Sequence, residues 1–148
     1  MREVLSALSK ELNEKHPHIH YGGCAKLSKI MMEEIAKLKI KVKTQAKVIG
    51  CRDTDDDTPI NTFSKHILWD AVDFSHVVTK IGKYYFDNTQ VSTTKYSFGR
   101  EFGTMYNGSL DLETTRYICR IGRWNKKFDT SELPSIRRIV RKHLKKLS

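Results

Sequence analysis

Two β-prone runs separated only by Gly82-Lys83 constrain this chain more than any other feature, because a two-residue hairpin loop fixes the register of both flanking strands. Residues 76 to 87 read His-Val-Val-Thr-Lys-Ile-Gly-Lys-Tyr-Tyr-Phe-Asp, and glycine in the first loop position is the signature of a type II′ turn. Ile81 then pairs with Tyr84, Lys80 with Tyr85, Thr79 with Phe86 and Val78 with Asp87. Opposed residues share a face of a sheet, so His76 falls on the face of Asp87 and diagonal to it. Diagonal neighbours stand about 7–8 Å apart or less at Cβ, within reach of an imidazole and a carboxylate. An Asp that holds one ring nitrogen turns the other toward a third group. A three-residue loop would reverse the parity and separate the pair.

Cys24 is the candidate for that third group. It closes His20-Tyr21-Gly22-Gly23-Cys24 and opens a stretch in which Leu27, Ile30, Met31, Ile35 and Leu38 recur at three- and four-residue steps. That spacing is one apolar face of a helix of about four turns. A thiol in its first turn meets orphan backbone N–H groups and the positive end of the helix dipole, and both favour the thiolate. Gly22 and Gly23 permit positive φ, a tight approach to the helix and open space in front of the sulfur for a substrate. The plainer alternatives are a buried structural cysteine on a glycine-rich turn, a surface histidine and a strand-end aspartate.

Cys at a helix start, followed by His and Asp on adjacent antiparallel strands, resembles the papain-like and transglutaminase-like cysteine enzymes, which include peptidases, deamidases and acyltransferases. The resemblance implies Cys24 as nucleophile, His76 as general base and acid, and Asp87 as orienter. Papain-type peptidases carry an aromatic residue after the nucleophile and a glutamine several residues before it, where this chain has Ala25 and His18. The Cys24 N–H is one donor for an oxyanion; His18, His20, Tyr21 and Gln90 are candidates for a second, with Gly23 bordering the substrate. The runs His-Tyr-Gly-Gly-Cys, Ser-His-Val-Val, Tyr-Tyr-Phe-Asp and Trp-Asn-Lys-Lys-Phe-Asp are also similar to small uncharacterised bacteriophage proteins, which implies a phage source and the host cytoplasm.

A chain of 148 residues, 39% apolar and 30% charged, fits one domain over residues 1 to 148 with a single core. Apolar runs near 18 residues are missing, and Met1-Arg2-Glu3-Val4-Leu5-Ser6 has no signal-peptide core, so neither membrane insertion nor export is expected. Three cysteines without close spacing favour a reducing cytoplasm over a disulfide framework. Cys119 alternates with Tyr117 and Ile121, which predicts a core strand over Thr115 to Trp124, and Cys51 reads as structural.

Elsewhere, Val4, Leu5, Leu8 and Leu12 predict a helix to about Glu14, ended by His16-Pro17-His18. Val42, Thr44, Ala46 and Val48 alternate with lysines and Gln45, the period of a half-buried strand. Residues 51 to 59 read as an acidic loop, 61 to 72 as a short helix or an irregular approach to the hairpin, and 88 to 113 as a turn-rich flap beside the site. Ser131 to Leu147 predicts a closing helix with Pro134 in its first turn. The expected fold is α+β, with an antiparallel sheet packed by helices and the Cys24 helix crossing near His76. The resemblance implies a papain-like or transglutaminase-like core.

The expected function is thiol-dependent hydrolysis or acyl transfer at an amide or ester of a protein or peptide-like substrate, with no cofactor. Two alternatives come from other classes. His18, His20, Cys24 and His76 are all zinc-binding residue types, although a solvated polar loop of His16, His18 and His20 explains those histidines somewhat better. A formal charge of +10, with Arg137, Arg138, Arg141, Lys142, Lys145 and Lys146 along the polar side of the last helix, suits phosphate backbone. Lys37, Lys39, Lys41, Lys43 and Lys47 form a second basic segment that suits nucleic acid or an acidic protein.

Overall fold

The computed structural model describes residues 1–20, 22–55, 57–58, 60, 69, 72–94, 108–121 and 128–148, apart from the side chain of His20. Helix α1 spans Arg2–Lys15 and ends at His16, whose φ of −136° leaves the helical region. A 3-10 turn over Pro17–His20 leads to α2, Cys24–Lys37. The strands are β1 (Thr44–Ile49), β2 (Arg52–Asp53), β3 (Val72–Asp73), β4 (His76–Ile81), β5 (Tyr84–Phe86), β6 (Val91–Ser92) and β7 (Ser109–Leu110). Helices α3 (Leu112–Ile121) and α4 (Leu133–Leu144) complete the chain, with 3-10 turns flanking α4.

The main sheet has the order β6-β5-β4-β1-β7 and every neighbouring pair is antiparallel; β2 and β3 make a separate two-stranded ladder. The hairpin register is Thr79 with Phe86, Lys80 with Tyr85 and Ile81 with Tyr84. Gly82 supplies the turn with φ +60°, a conformation that a β-branched or bulky residue resists. Ala46 and Val48 of β1 are fully buried, as their alternation predicts. The structure is therefore α+β, with helices packed on an antiparallel sheet.

Helix α2 is the organising element, because it packs on β4 and β1 and also against α3 and α4. Leu27, Ile30, Met31 and Ile35 bury against Leu5, Leu8 and Leu12 of α1, Ile81 and Phe86 of the hairpin, and Ile136, Val140 and Leu144 of α4. Each such side chain taken fully from water contributes about 1.5–3 kcal/mol, against the entropy of ordering it. The helix stops where Lys39 turns to φ 55°, with Lys39 N–H donating to Ala36 O at 3.1 Å and Ile40 N–H to Ile35 O at 3.1 Å. This is a Schellman closure, and Ile40 packs back on the core to complete it.

Three expectations need correction. Thr115 to Trp124 is not a strand, since Leu112–Ile121 is helix α3 and residues 122–127 lie outside the described region. The alternation of Tyr117, Cys119 and Ile121 is incidental: α3 buries Thr115 and Ile118, three apart, while Tyr117 is 42% exposed. The turn-rich 88 to 113 segment contributes β6 and β7 to opposite edges of the sheet, with 95–107 outside the described residues. His16 is not in a solvated loop; it is buried, with Nδ1 2.8 Å from Glu132 Oε1 and Nε2 2.9 Å from Ser135 Oγ, tying the end of α1 to the start of α4. The expected helix over 61 to 72 falls almost wholly outside the described residues, although Trp69 and Phe74 meet edge to face with ring centroids 6.0 Å apart.

Candidate active site

Cys24, His76 and Asp87 come together where the first turn of α2 meets the start of β4 and the end of β5. His76 pairs with Ile49 in the ladder to β1 and is almost completely buried, as is Asp87. Its Nε2 lies 2.8 Å from Asp87 Oδ2. The imidazole and the Cys24 thiol lie close enough to shift one another's titration, and with Nε2 engaged by Asp87 it is Nδ1 that is left for the sulfur. Cys24 itself is half-buried.

The carboxylate of Asp87 is held on its other side as well. Oδ1 accepts from the Thr89 N–H at 2.7 Å, the Thr89 hydroxyl at 2.7 Å and the Gln90 N–H at 3.0 Å. The Asp87 carbonyl accepts from Ser9 Oγ of α1 at 2.8 Å, and the Asp87 N–H donates to Gln90 O at 3.1 Å. These contacts fix the loop after β5 through both its backbone and its side chain. Ser28, one turn beyond Cys24, shares a buried 2.8 Å hydrogen bond with Thr79 of β4 and so pins the helix to the strand that carries His76.

The electrostatics follow from that geometry. Burial pushes the Cys24 thiol up, but the hydrogen bond and charge of His76 and the backbone N–H groups of Val77 and Ala25 outweigh it, leaving the thiol below its ordinary range. Burial alone would push His76 down; the Asp87 carboxylate and the Cys24 sulfur reverse this and raise it well above the usual imidazole range. Asp87 is likewise pushed up by burial and brought down by His76 and by the donors of Thr89. All three shifts favour thiolate, imidazolium and carboxylate in a row. Cys119 supplies the contrast within one chain, since burial holds its thiol at about 11 despite Lys29 and Lys26 nearby.

Gly22 takes φ +92° before α2, whereas Gly23, at φ −100°, needs no special conformation. Gly23 is required by close approach: a Cβ there would lie 2.5 Å from Ile19 O and 2.9 Å from the Phe128 ring. Gly23 thus serves to seat the helix start against Ile19 and Phe128. Of the candidates for a second oxyanion donor, His18 is exposed on the 3-10 turn, Tyr21 and the His20 side chain lie outside the described residues, and Gln90 lines a groove with Ser6, Ser9 and Asn13 of α1. Among the described residues, no three His, Cys, Asp or Glu side chains gather as a metal site.

The sequence reading missed the brace around Asp87 although Asp-Asn-Thr-Gln carries its signal, because an Asp side chain that accepts from the N–H two and three residues on is a recurrent turn. The structure also divides the basic residues of α4. Arg137 bonds Glu33 and Glu34 at 3.0 and 2.9 Å, Arg141 bonds Glu34 at 2.9 Å, and Lys142 bonds Glu11 at 2.7 Å. Arg138, Lys145 and Lys146 are exposed. Among the described residues, no helix is long and apolar enough to cross a membrane. No protein-family model matches the chain, and neither a curated protein nor a solved structure does.

Proposed function

We propose that this protein is a thiol-dependent hydrolase or acyltransferase acting on an amide or ester of a protein or peptide-like substrate, on the chemical plan of the papain-like and transglutaminase-like enzymes. The observation that carries this reading is the row of Asp87, His76 and Cys24, in which a 2.8 Å hydrogen bond joins carboxylate to imidazole and the imidazole in turn lowers the thiol, buried at its base and half-open at the sulfur. In this reading His76 holds the proton of Cys24, and the thiolate attacks the carbonyl carbon to form a carbon–sulfur bond. The oxyanion that develops faces the Cys24 N–H, one of the orphan donors of the first helical turn. His76 returns its proton to the departing amine or alcohol, and water or an acceptor amine then takes the acyl group, with His76 as base. Asp87 keeps the ring in the tautomer and orientation that both proton transfers need.

The test is the rate of Cys24 alkylation by iodoacetamide against pH, read by mass spectrometry with Cys119 as internal standard. Fast reaction below about pH 7, lost in His76→Ala, is expected, since an unperturbed thiol titrates near 8.5. Turnover of a 4-nitrophenyl ester should follow the same pH dependence and vanish in Cys24→Ala. Cys24 reacting no faster than Cys119 would overturn the assignment.

A further inference from the structure

A second site lies on the far side of α2. Lys26, Lys29 and Ile30 follow Cys24 by two, five and six positions, which turns them roughly 140–240° away from the thiol on a helix of 3.6 residues per turn. With Cys119 and Arg120 of α3 and Leu133 and Arg137 of α4 they enclose a cavity of about 150 Å³. Three helices therefore converge on one recess, and each brings at least one cation to it.

Among the described residues, only one of the four cations is paired with acids. Arg137 is fixed by Glu33 and Glu34, at 3.0 and 2.9 Å, with its side chain 30% exposed toward the recess. Among the described residues, Lys26, Lys29 and Arg120 make no ion pair within 4.0 Å, and Arg120 leans on the Tyr117 ring at 5.8 Å. The floor is apolar, formed by Ile30 and Leu133 beside the Cys119 thiol. Such a cavity offers partly exposed charge beside buried and half-buried apolar side chains, so it fits a ligand with a multiply charged head and an apolar body. The Arg120 guanidinium supplies the paired donors that phosphate oxygens accept, two lysines supply mobile positive charge, and Arg137, held by its glutamates, adds a fixed cation to the wall.

We infer that the recess between α2, α3 and α4 binds a small organic phosphate, its phosphate on Lys26, Lys29, Arg120 and Arg137 and its apolar part on Ile30 and Leu133. The inference is independent of the thiol chemistry, because none of these residues belongs to the Cys24 site.

The probes are inorganic phosphate and phenyl phosphate, titrated at constant ionic strength while the melting temperature and the alkylation of Cys119 at alkaline pH are followed. Both anions should raise the melting temperature, phenyl phosphate at lower concentration because its ring covers the apolar floor. Phenyl phosphate should also protect Cys119, which forms part of the wall. Lys29→Glu/Arg120→Glu should weaken binding about tenfold or more, since each change removes a charged contact and adds repulsion. Lys145→Glu/Lys146→Glu alters net charge equally but lies outside the recess, and should bind as the unaltered protein does. Equal weakening in the two double variants, or no protection of Cys119 at saturation, would overturn the inference. Both readouts work on the Cys24→Ala protein, so failure here is distinguishable from failure of the proposed catalysis.

Discussion

Asp87 offers His76 only one of its two carboxylate oxygens: Oδ2 sits 2.8 Å from the ring Nε2, while Oδ1 is engaged by three donors from Thr89 and Gln90. This arrangement decides what an amide would do in the same place. In Asp87→Asn the three donors require an acceptor, so the side-chain oxygen stays with them and Nδ2 is turned toward His76. An N–H facing Nε2 forces the proton onto Nδ1, the nitrogen beside the sulfur, where it no longer accepts from the thiol. Turnover should fall about 10²–10⁴-fold. The loss should remain smaller than in His76→Ala, which removes the imidazole altogether. Steady-state kinetics on both variants check this.

The direction of the shifts sets the shape of the pH profile. Cys24 lies below its ordinary value and His76 above, so the thiolate and imidazolium coexist across a window wider than the unperturbed groups would allow. Turnover should rise on the acid side as the thiol loses its proton and fall on the alkaline side as His76 loses the proton it must deliver. The two apparent values belong to the pair and not to either residue. In His76→Ala the acid limb of alkylation should move up toward about 8.5, the ordinary thiol, and the alkaline limb of turnover should disappear. An unchanged profile in that variant would show that the imidazole does not govern the thiol.

Gly23→Ala tests how the thiol is seated. The added Cβ would fall 2.5 Å from Ile19 O, and that carbonyl is backbone already accepting from the Gly23 N–H at 2.6 Å. The Phe128 ring can swing away, but the 3-10 turn and α2 must move apart. A cost of about 1–3 kcal/mol is expected from such overpacking. Because α2 carries Cys24 at its first position, alkylation should slow as well, even though no catalytic atom is altered. Thermal melts and the alkylation profile together separate this outcome from simple destabilisation, in which the folded fraction would react at its original rate.

What was legible in the sequence was local. The Gly82-Lys83 loop fixed the pairing of β4 with β5 by counting, and the three- and four-residue spacing of Leu27 to Ile35 located α2, because both patterns repeat within one element. Helix α3 was misread for the same reason in reverse: Tyr117, Cys119 and Ile121 happen to alternate, while the element buries only Thr115 and Ile118. The contrary signal was Asp111, whose Oδ1 accepts from the Thr114 N–H at 2.8 Å as a helix-capping side chain does. The fate of the basic stripe on α4 was not legible, since Arg137 finds Glu33 and Glu34 more than a hundred positions earlier in the chain. Likewise, nothing short of the packed structure shows that Gly23 faces Phe128 and not open space.

The same long-range pairing yields a prediction for acid stability. Glu11 of α1 receives Lys142 Nζ at 2.7 Å, Lys15 Nζ at 2.9 Å and His143 Nε2 at 2.9 Å, which joins the first helix to the last. Hydrogen bonds from Lys142, Lys15 and His143 bring its carboxyl from the ordinary 4.5 down to about 2. A carboxylate depressed in the folded state stabilises the protein above its unfolded value, and that contribution is lost as pH falls from about 4.5 toward 2. Both lysines are more than half exposed, so solvent screening limits the effect to about 1 kcal/mol near neutral pH. For a domain of this size that corresponds to a melting temperature lower by roughly 2–4 °C in Glu11→Gln. The gap between variant and parent should close as the pH approaches 2, because a protonated carboxyl and an amide at this position are then nearly equivalent. Glu34, also held near 2 by Arg141 and Arg137, is common to both proteins and cancels in the comparison. A gap that persists unchanged at low pH would show that the carboxylate charge is not what holds α1 to α4.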